Sequence, residues 1–244
     1  FVPTRAEEAY RLDPEAVRAA LTPRTKAIVT TSPANPTGAI QPAETVRALA
    51  ALGPPLVSDE IYDGIVFDDA RVTSALAASD EAFVLDGFSK RYAMTGFRLG
   101  YAVVPEPALR PMQILQQNLF ISANDFVQHA GLAALEHGEP TVRAMREAYA
   151  RRRRLLVDGL RKLGFGVPVE PAGAFYVLAD ARPFAGPGAD SRALASEILE
   201  ATHVAVTPGV DFGEAAEGWL RFSCAVADEV IEEALARLGR HLGS

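Results

Sequence analysis

The chain has 244 residues, 49% of them hydrophobic and 23% charged, an ordinary globular composition with room for one large domain or two modest ones. Lys and Arg number 24 against 31 Asp and Glu, and the net charge of −7 argues against a general nucleic-acid binder, which needs a basic footprint. No apolar run is long enough to span a bilayer, and the four His at 129, 137, 203 and 241 lack metal-ligand spacing.

The run 26–31 (KAIVTT) is β-branched and stops at Ser32-Pro33, so it predicts a strand. The stretch 42–52 predicts a helix, with Pro42 at its first turn and Val46, Leu49 and Ala50 on one face. Short strands are expected at 55–58, 83–86 and 99–104, the first delivering Asp59 and the second delivering Ser89 and Lys90 beyond its end. Strands separated by helices or long connections imply an α/β fold with a mostly parallel sheet, whose ligands sit outside the carboxyl ends of the strands.

Pro105, Pro107 and Pro111 close that region, and helices are expected at 127–137 and 140–164. Gly164 suits a left-handed cap on the second of these, which carries the chain into a smaller α+β domain. There, strands are expected at 174–178, 204–206 and 219–223, helices at 191–201 and 228–242, and a Pro/Gly-rich loop over 181–190. The domains divide as 1–145 and 146–244. The four arginines 151–154 would spread around their helix as a solvated face with stems on apolar neighbours.

Three motifs follow one another: Asn35-Pro36-Thr37-Gly38, then Asp59-Glu60-Ile61-Tyr62, then Gly87-Phe88-Ser89-Lys90, with Arg98 eight residues beyond the lysine. Each alone also fits a structural role, since NPTG makes a turn and D-x-x-Y is common. In this order they resemble the fold-type I aminotransferases that use pyridoxal 5′-phosphate (PLP), class I/II and aspartate aminotransferase-like. That resemblance implies a PLP-dependent transferase fold and a homodimer that moves an amino group between an amino acid and a 2-keto acid. Lys90 matches the family's lysine that joins the cofactor aldehyde and moves the proton. Asp59 matches the carboxylate at the pyridine nitrogen, and Tyr62 and Asn35 the groups on the ring oxygen. Arg98 and Ser89 match phosphate ligands, a planar fork suiting that anion. Arg221, in the apolar run Trp219-Leu220-Arg221-Phe222-Ser223, matches the arginine that reads the substrate α-carboxylate; unpaired in such a strand it would be costly.

Gly87 departs from the pattern, because family members often carry Ser there as a further phosphate donor. The chain opens Phe1-Val2-Pro3-Thr4, without initiator Met or signal peptide. The resemblance implies that an N-terminal part of the large domain is missing, with the glycine-rich phosphate loop and the aromatic that stacks on the cofactor. Arg98 and Arg221 also suit interdomain ion pairs, and Ser89 a turn cap. His203 and Tyr176 have no spacing that assigns them to the site. Cys224, alone in the chain, forbids an internal disulfide, reads as a small core residue and fits a reducing, cytoplasmic setting. Two rival activities share the motifs: a PLP-dependent carbon–sulfur or β-lyase, and the non-catalytic sensor domain of a transcription regulator.

Overall fold

The computed structural model describes residues 1–186, 188 and 190–243. In chain order the elements are α1 (Pro14–Ala20), β1 (Ile28–Thr31), α2 (Ala43–Ala50), β2 (Leu56–Asp59), β3 (Phe83–Gly87), α3 (Phe88–Arg91), β4 (Gly100–Val103), α4 (Glu106–Leu119), α5 (Asp125–His137), α6 (Glu139–Lys162), β5 (Tyr176–Asp180), α7 (Ser191–Thr202), β6 (Thr207–Pro208), β7 (Trp219–Ser223) and α8 (Asp228–Leu242). Two sheets result, ordered β1-β2-β3-β4 and β5-β7-β6. In the first, β1, β2 and β3 are parallel and β4 is antiparallel, so the expected mostly parallel sheet is present. The second is antiparallel throughout.

Strand alternation decides which side of the first sheet is covered. Ile28, Leu56 and Val84 point to one face and pack with Val46 and Leu49 of α2 and Val17 of α1. Their neighbours Val29 and Leu85 point the other way and remain 71% and 41% exposed. Parallel sheets normally carry layers on both faces, so this sheet presents an uncovered apolar side. The second sheet packs against α6, α7 and α8, burying Leu156, Leu160, Ile198, Leu220 and Leu238.

Several expectations shift. The strands expected at 174–178 and 204–206 lie at 176–180 and 207–208, because pairing with β7 selects the register rather than the apolar runs. Of the loop expected over 181–190, the described part is turns and bends, and positions 187 and 189 lie outside the described residues. α1 escapes periodicity because it has only seven residues, although Asp13 caps it by accepting from the Glu15 amide at 2.9 Å and Pro14 opens it. α4 is a correction, since the three prolines read as breakers. Pro105 caps it and Pro107 sits in its first turn, where no intrahelical donor is needed, while Pro111 is tolerated inside. No residue of α4 is buried.

The arginine run is also corrected. Arg153 is only 4% exposed, since position 153 continues the inward stripe of Tyr149, Leu156 and Leu160 at helical spacing. Its guanidinium donates to the Pro171 carbonyl at 2.7 Å and to Asp68 at 3.0 Å, and lies over the Phe67 ring. Arg151 and Arg152 instead both grip Asp228, at 2.7 and 2.8 Å, tying α6 to the start of α8.

Those two guanidiniums, Arg151 foremost, lower the Asp228 carboxyl from an ordinary 3.8 to about 2. A carboxyl depressed by folding stabilises the fold above its unfolded pKa and ceases to do so as pH falls through the folded value. The stability gap between wild type and Asp228→Asn should therefore close between about pH 4 and pH 2. Urea titrations across that window check this, and an undiminished gap at pH 2 contradicts it.

Gly38 is a second point where sequence dictates geometry. Its φ is +67°, its amide donates to the Ala34 carbonyl at 2.8 Å, and its carbonyl accepts from Ala172 and Gly173 at 3.0 and 2.9 Å. A Cβ there would overlap the Pro171 side chain and come within 2.6 Å of the Gly173 carbonyl oxygen. Gly38→Ala combines left-handed strain with overpacking and should destabilise by about 2–4 kcal/mol. Denaturant midpoints measure it; an unchanged midpoint would mean that the 170–174 segment moves aside freely.

Candidate active site

The motif residues gather where the first sheet ends, facing the second sheet. β1 stops at Ser32, whose amide donates to the Asp59 carbonyl at 3.1 Å, and the chain turns through Asn35-Pro36-Thr37-Gly38. The turn is closed by the Gly38 and Ala34 amides and leaves the Asn35 side chain outside it. Asp59 ends β2 between Thr31 and Leu85 in register, and among the described residues its side chain accepts only from the Ile61 amide, at 3.1 Å. Tyr62, in the turn that follows, is 4% exposed, with its ring edge-on to Phe175 and Tyr176 at 5.6 and 5.9 Å.

β3 runs directly into α3, so Lys90 leaves the sheet one turn beyond its end. Its Nζ lies 5.8 Å from the Tyr62 ring centre and 5.7 Å from that of Phe175, to one side of that edge-on pair of rings. No carboxylate forms an ion pair with it among the described residues. Gly87 is explained by crowding. A Cβ would approach the Gly100 Cα and the Leu99 carbonyl to 2.9 Å each, so the close β3–β4 approach leaves no room for a serine.

Arg221, on β7, reaches across to the first sheet. Nη1 donates to Asn35 Oδ1 at 2.9 Å and Nη2 to Thr207 Oγ1 at 3.0 Å. Its Cζ lies 4.3 Å from the Tyr176 ring centre and 5.0 Å from that of Phe212. Nε is buried and has no partner among the described residues. The guanidinium is thus held by neutral oxygens and aromatic faces, with one orphaned donor and no anionic partner among the described residues.

The fold thus pairs Arg221 with Asn35 and Lys90 with Tyr62, and Tyr176 links the two pairs, with Asp59 three residues before Tyr62. Among the described residues, neither Arg98 nor Ser89 makes a side-chain hydrogen bond to any of them. Arg98 adopts a left-handed conformation at φ 55°, is exposed, and donates to the Thr95 carbonyl at 2.9 Å. It borders a cavity of 830 Å³ with Gly96, Gln116, Phe120 and Asn124, which none of the other site residues lines. Ser89 makes no side-chain hydrogen bond among the described residues. His203 caps the C-terminus of α7 in a left-handed conformation and borders a different cavity, between α6 and α8.

A sequence profile of the family "Aminotransferase class I and II" matches residues 1–238. The chain belongs to that family. This aminotransferase-family chain is 43% identical over 249 residues to the "Aspartate/prephenate aminotransferase" of Thermus thermophilus, covering 99% of itself and 63% of that protein. It is 36% identical over 243 residues to the "Arginine–pyruvate transaminase" of Pseudomonas aeruginosa, covering 97% of itself and 61% of that protein. The aspartate aminotransferase from Thermus thermophilus solved with maleate superposes with a TM-score of 0.91 at 43% identity, over 98% of this chain and 63% of that one. The aromatic aminotransferase from Pyrococcus horikoshii gives 0.92 at 35% identity, over 99% and 66%. The chain therefore has the aspartate aminotransferase-like fold and spans about 63% of the length of the curated relatives first matched.

Sequence reasoning missed Phe175, Thr207 and Phe212 in this aminotransferase-family site and could not assign Tyr176, for want of a spacing. Phe175 and Tyr176 follow the Gly173-Ala174 turn that lies against Gly38, yet only the folded chain sets their rings against Lys90 and Arg221.

Proposed function

We propose that the protein is a PLP-dependent aminotransferase that moves an amino group between an amino acid and a 2-keto acid. The observation that carries this is the placement of the Lys90 amine, the Tyr62 phenol and the Arg221 guanidinium around the connected rings of Tyr62, Phe175 and Tyr176. The residues suit the cofactor on chemical grounds. An amine without an ion pair can condense with an aldehyde with loss of water, and the orphaned Nε of Arg221 awaits an anion.

When bound, PLP supplies an electron sink for the substrate α-carbon. Lys90 would hold it covalently and then, released by the substrate amine, move a proton at that carbon. Asp59, engaged by a single backbone donor among the described residues, is left with acceptor capacity for the ring nitrogen. Tyr62 and Asn35 would donate to the ring oxygen, and Arg98 and Ser89 would serve the phosphate. Burial first, and the Tyr176 hydroxyl second, push Tyr62 well above the usual phenol range, so it acts as a neutral donor. Arg221 would take the α-carboxylate, exchanging the Asn35 and Thr207 oxygens for an anion.

The domain boundary belongs to the same reading: 1–145 as the cofactor-binding part and 146–244 as the small domain. Leu156 and Leu160 of α6 already share a core with Val177 and Leu220, which supports it. A homodimer is proposed because α4 buries nothing and Leu115, Leu119, Phe120 and Ile121 are 58–81% exposed, an apolar patch suited to a second copy. A cytoplasmic location, where a free thiol such as Cys224 stays reduced, completes the proposal. No helix among the described residues is long and apolar enough to cross a membrane.

The test is a donor–acceptor screen on the complete protein with added PLP, alongside sedimentation. New amino acid formed in step with donor consumed supports amino transfer. Ammonia and pyruvate released without any keto acid acceptor would replace it with the lyase reading. No coloured cofactor remaining with the protein after removal of free PLP would overturn both.

A further inference from the structure

Tyr176 sits between the two halves of the proposed site and touches both. Its hydroxyl lies 3.2 Å from that of Tyr62, which donates to it. The face of its ring carries the Arg221 guanidinium at 4.3 Å, and the ring is tilted against that of Phe175 with centres 4.7 Å apart. The Arg221 platform therefore shares one side chain with the hydrogen-bond partner of the phenol beside Lys90.

Hydroxyl protons rotate. If Tyr62 turns its proton toward an oxygen on a bound ring, the Tyr176 hydroxyl can reverse and donate to Tyr62 in turn. A phenol that accepts one hydrogen bond donates a stronger one, so the pair forms a relay rather than a dead end. The cation over the Tyr176 ring draws density from it and improves its hydroxyl as a donor. An anion arriving at Arg221 would weaken that pull, so the substrate end of the site is felt at the cofactor end.

We propose that Tyr176 is a positioning residue: its ring holds the Arg221 guanidinium flat for a carboxylate, and its hydroxyl aims the Tyr62 phenol at the cofactor. This rests on the aminotransferase reading above. Other charged and titratable groups around the pair are Asp59 from β2, Lys90 from α3, Arg221 from β7 and Tyr149 from α6. None of them offers both a ring to Arg221 and a hydroxyl to Tyr62.

Two variants of the complete protein separate the two roles: Tyr176→Phe keeps the ring and loses the hydroxyl, and Tyr176→Leu loses both. One readout is the affinity of the cofactor-free protein for maleate, used as a non-reacting carboxylate probe, by calorimetry. The other is the pH midpoint of the visible band of bound PLP. A donor to the ring oxygen favours its anionic form, so a weaker Tyr62 raises that midpoint. Tyr176→Phe should raise it by about 0.5 pH unit and leave maleate affinity within about twofold. Tyr176→Leu should raise it equally and weaken maleate about tenfold. Thermal melting of all three proteins verifies that they fold. A wild-type band whose midpoint neither variant moves, with maleate affinity unchanged, overturns the role of Tyr176 alone. The lack of any wild-type band overturns the aminotransferase reading and this proposal with it.

Discussion

Lys90→Ala should reduce amino transfer by about 10⁴-fold or more, because it removes the covalent attachment point and the group that moves the proton together. Its surroundings explain why nothing else substitutes. The amine stands beside the Tyr62 and Phe175 rings, and no second lysine is found in these contacts. Lys90→Arg keeps the cation but presents a delocalised guanidinium that neither condenses with an aldehyde nor gives up its proton. It should be as inactive as the alanine variant. Borohydride treatment of wild type with PLP should fix the cofactor's mass on the peptide that contains Lys90, and leave no such mass in either variant. Labelling of another peptide, or activity surviving in Lys90→Ala, would remove this residue from the chemistry.

Arg221→Ala should lower kcat/KM for amino acids by about 10²–10³-fold, the loss expected when one partner of a desolvated, hydrogen-bonded charge pair is truncated. The guanidinium is already oriented by Asn35, Thr207 and two aromatic faces, so little ordering remains to be done when a carboxylate arrives. Arg221→Lys keeps the charge but loses the fork and the stacking, and should recover only part of the loss. The decisive comparison uses an amino acid and the amine that lacks its carboxylate. A loss confined to the amino acid assigns Arg221 to the carboxylate. An equal loss for both would make it a structural clasp between β7 and the Asn35 turn.

The first half of the fold is legible because each of its strands is a short β-branched or apolar run with a break after it. Asp59 and Lys90 fall just past such breaks, where a parallel sheet puts its ligands. Arg221 stands out as a charge in an apolar strand. α4 is hidden by Pro107 and Pro111, whose effect depends on where in a helix they fall. Arg153 is hidden among three other arginines, and only the phase of α6 turns it inward against Pro171. β6 is hidden because its two residues pair by register with β7 rather than by any apolar pattern of their own.

Local chemistry in the chain was enough to name the family and to nominate residues for a cofactor and a carboxylate, since an amine, a carboxylate, a phenol and two guanidiniums each carry their reactivity wherever they sit. Proximity is another matter. Asn35 and Arg221 are 186 positions apart and Tyr62 and Tyr176 are 114 apart, and no periodicity reaches that far. Packing of the second sheet against the turns that leave the first decides which rings enclose Lys90, which oxygens clasp Arg221 and that Tyr176 bridges the two. The physical reason is that short-range propensity shapes single elements, whereas contacts between them are selected by the burial and hydrogen bonding of the whole chain.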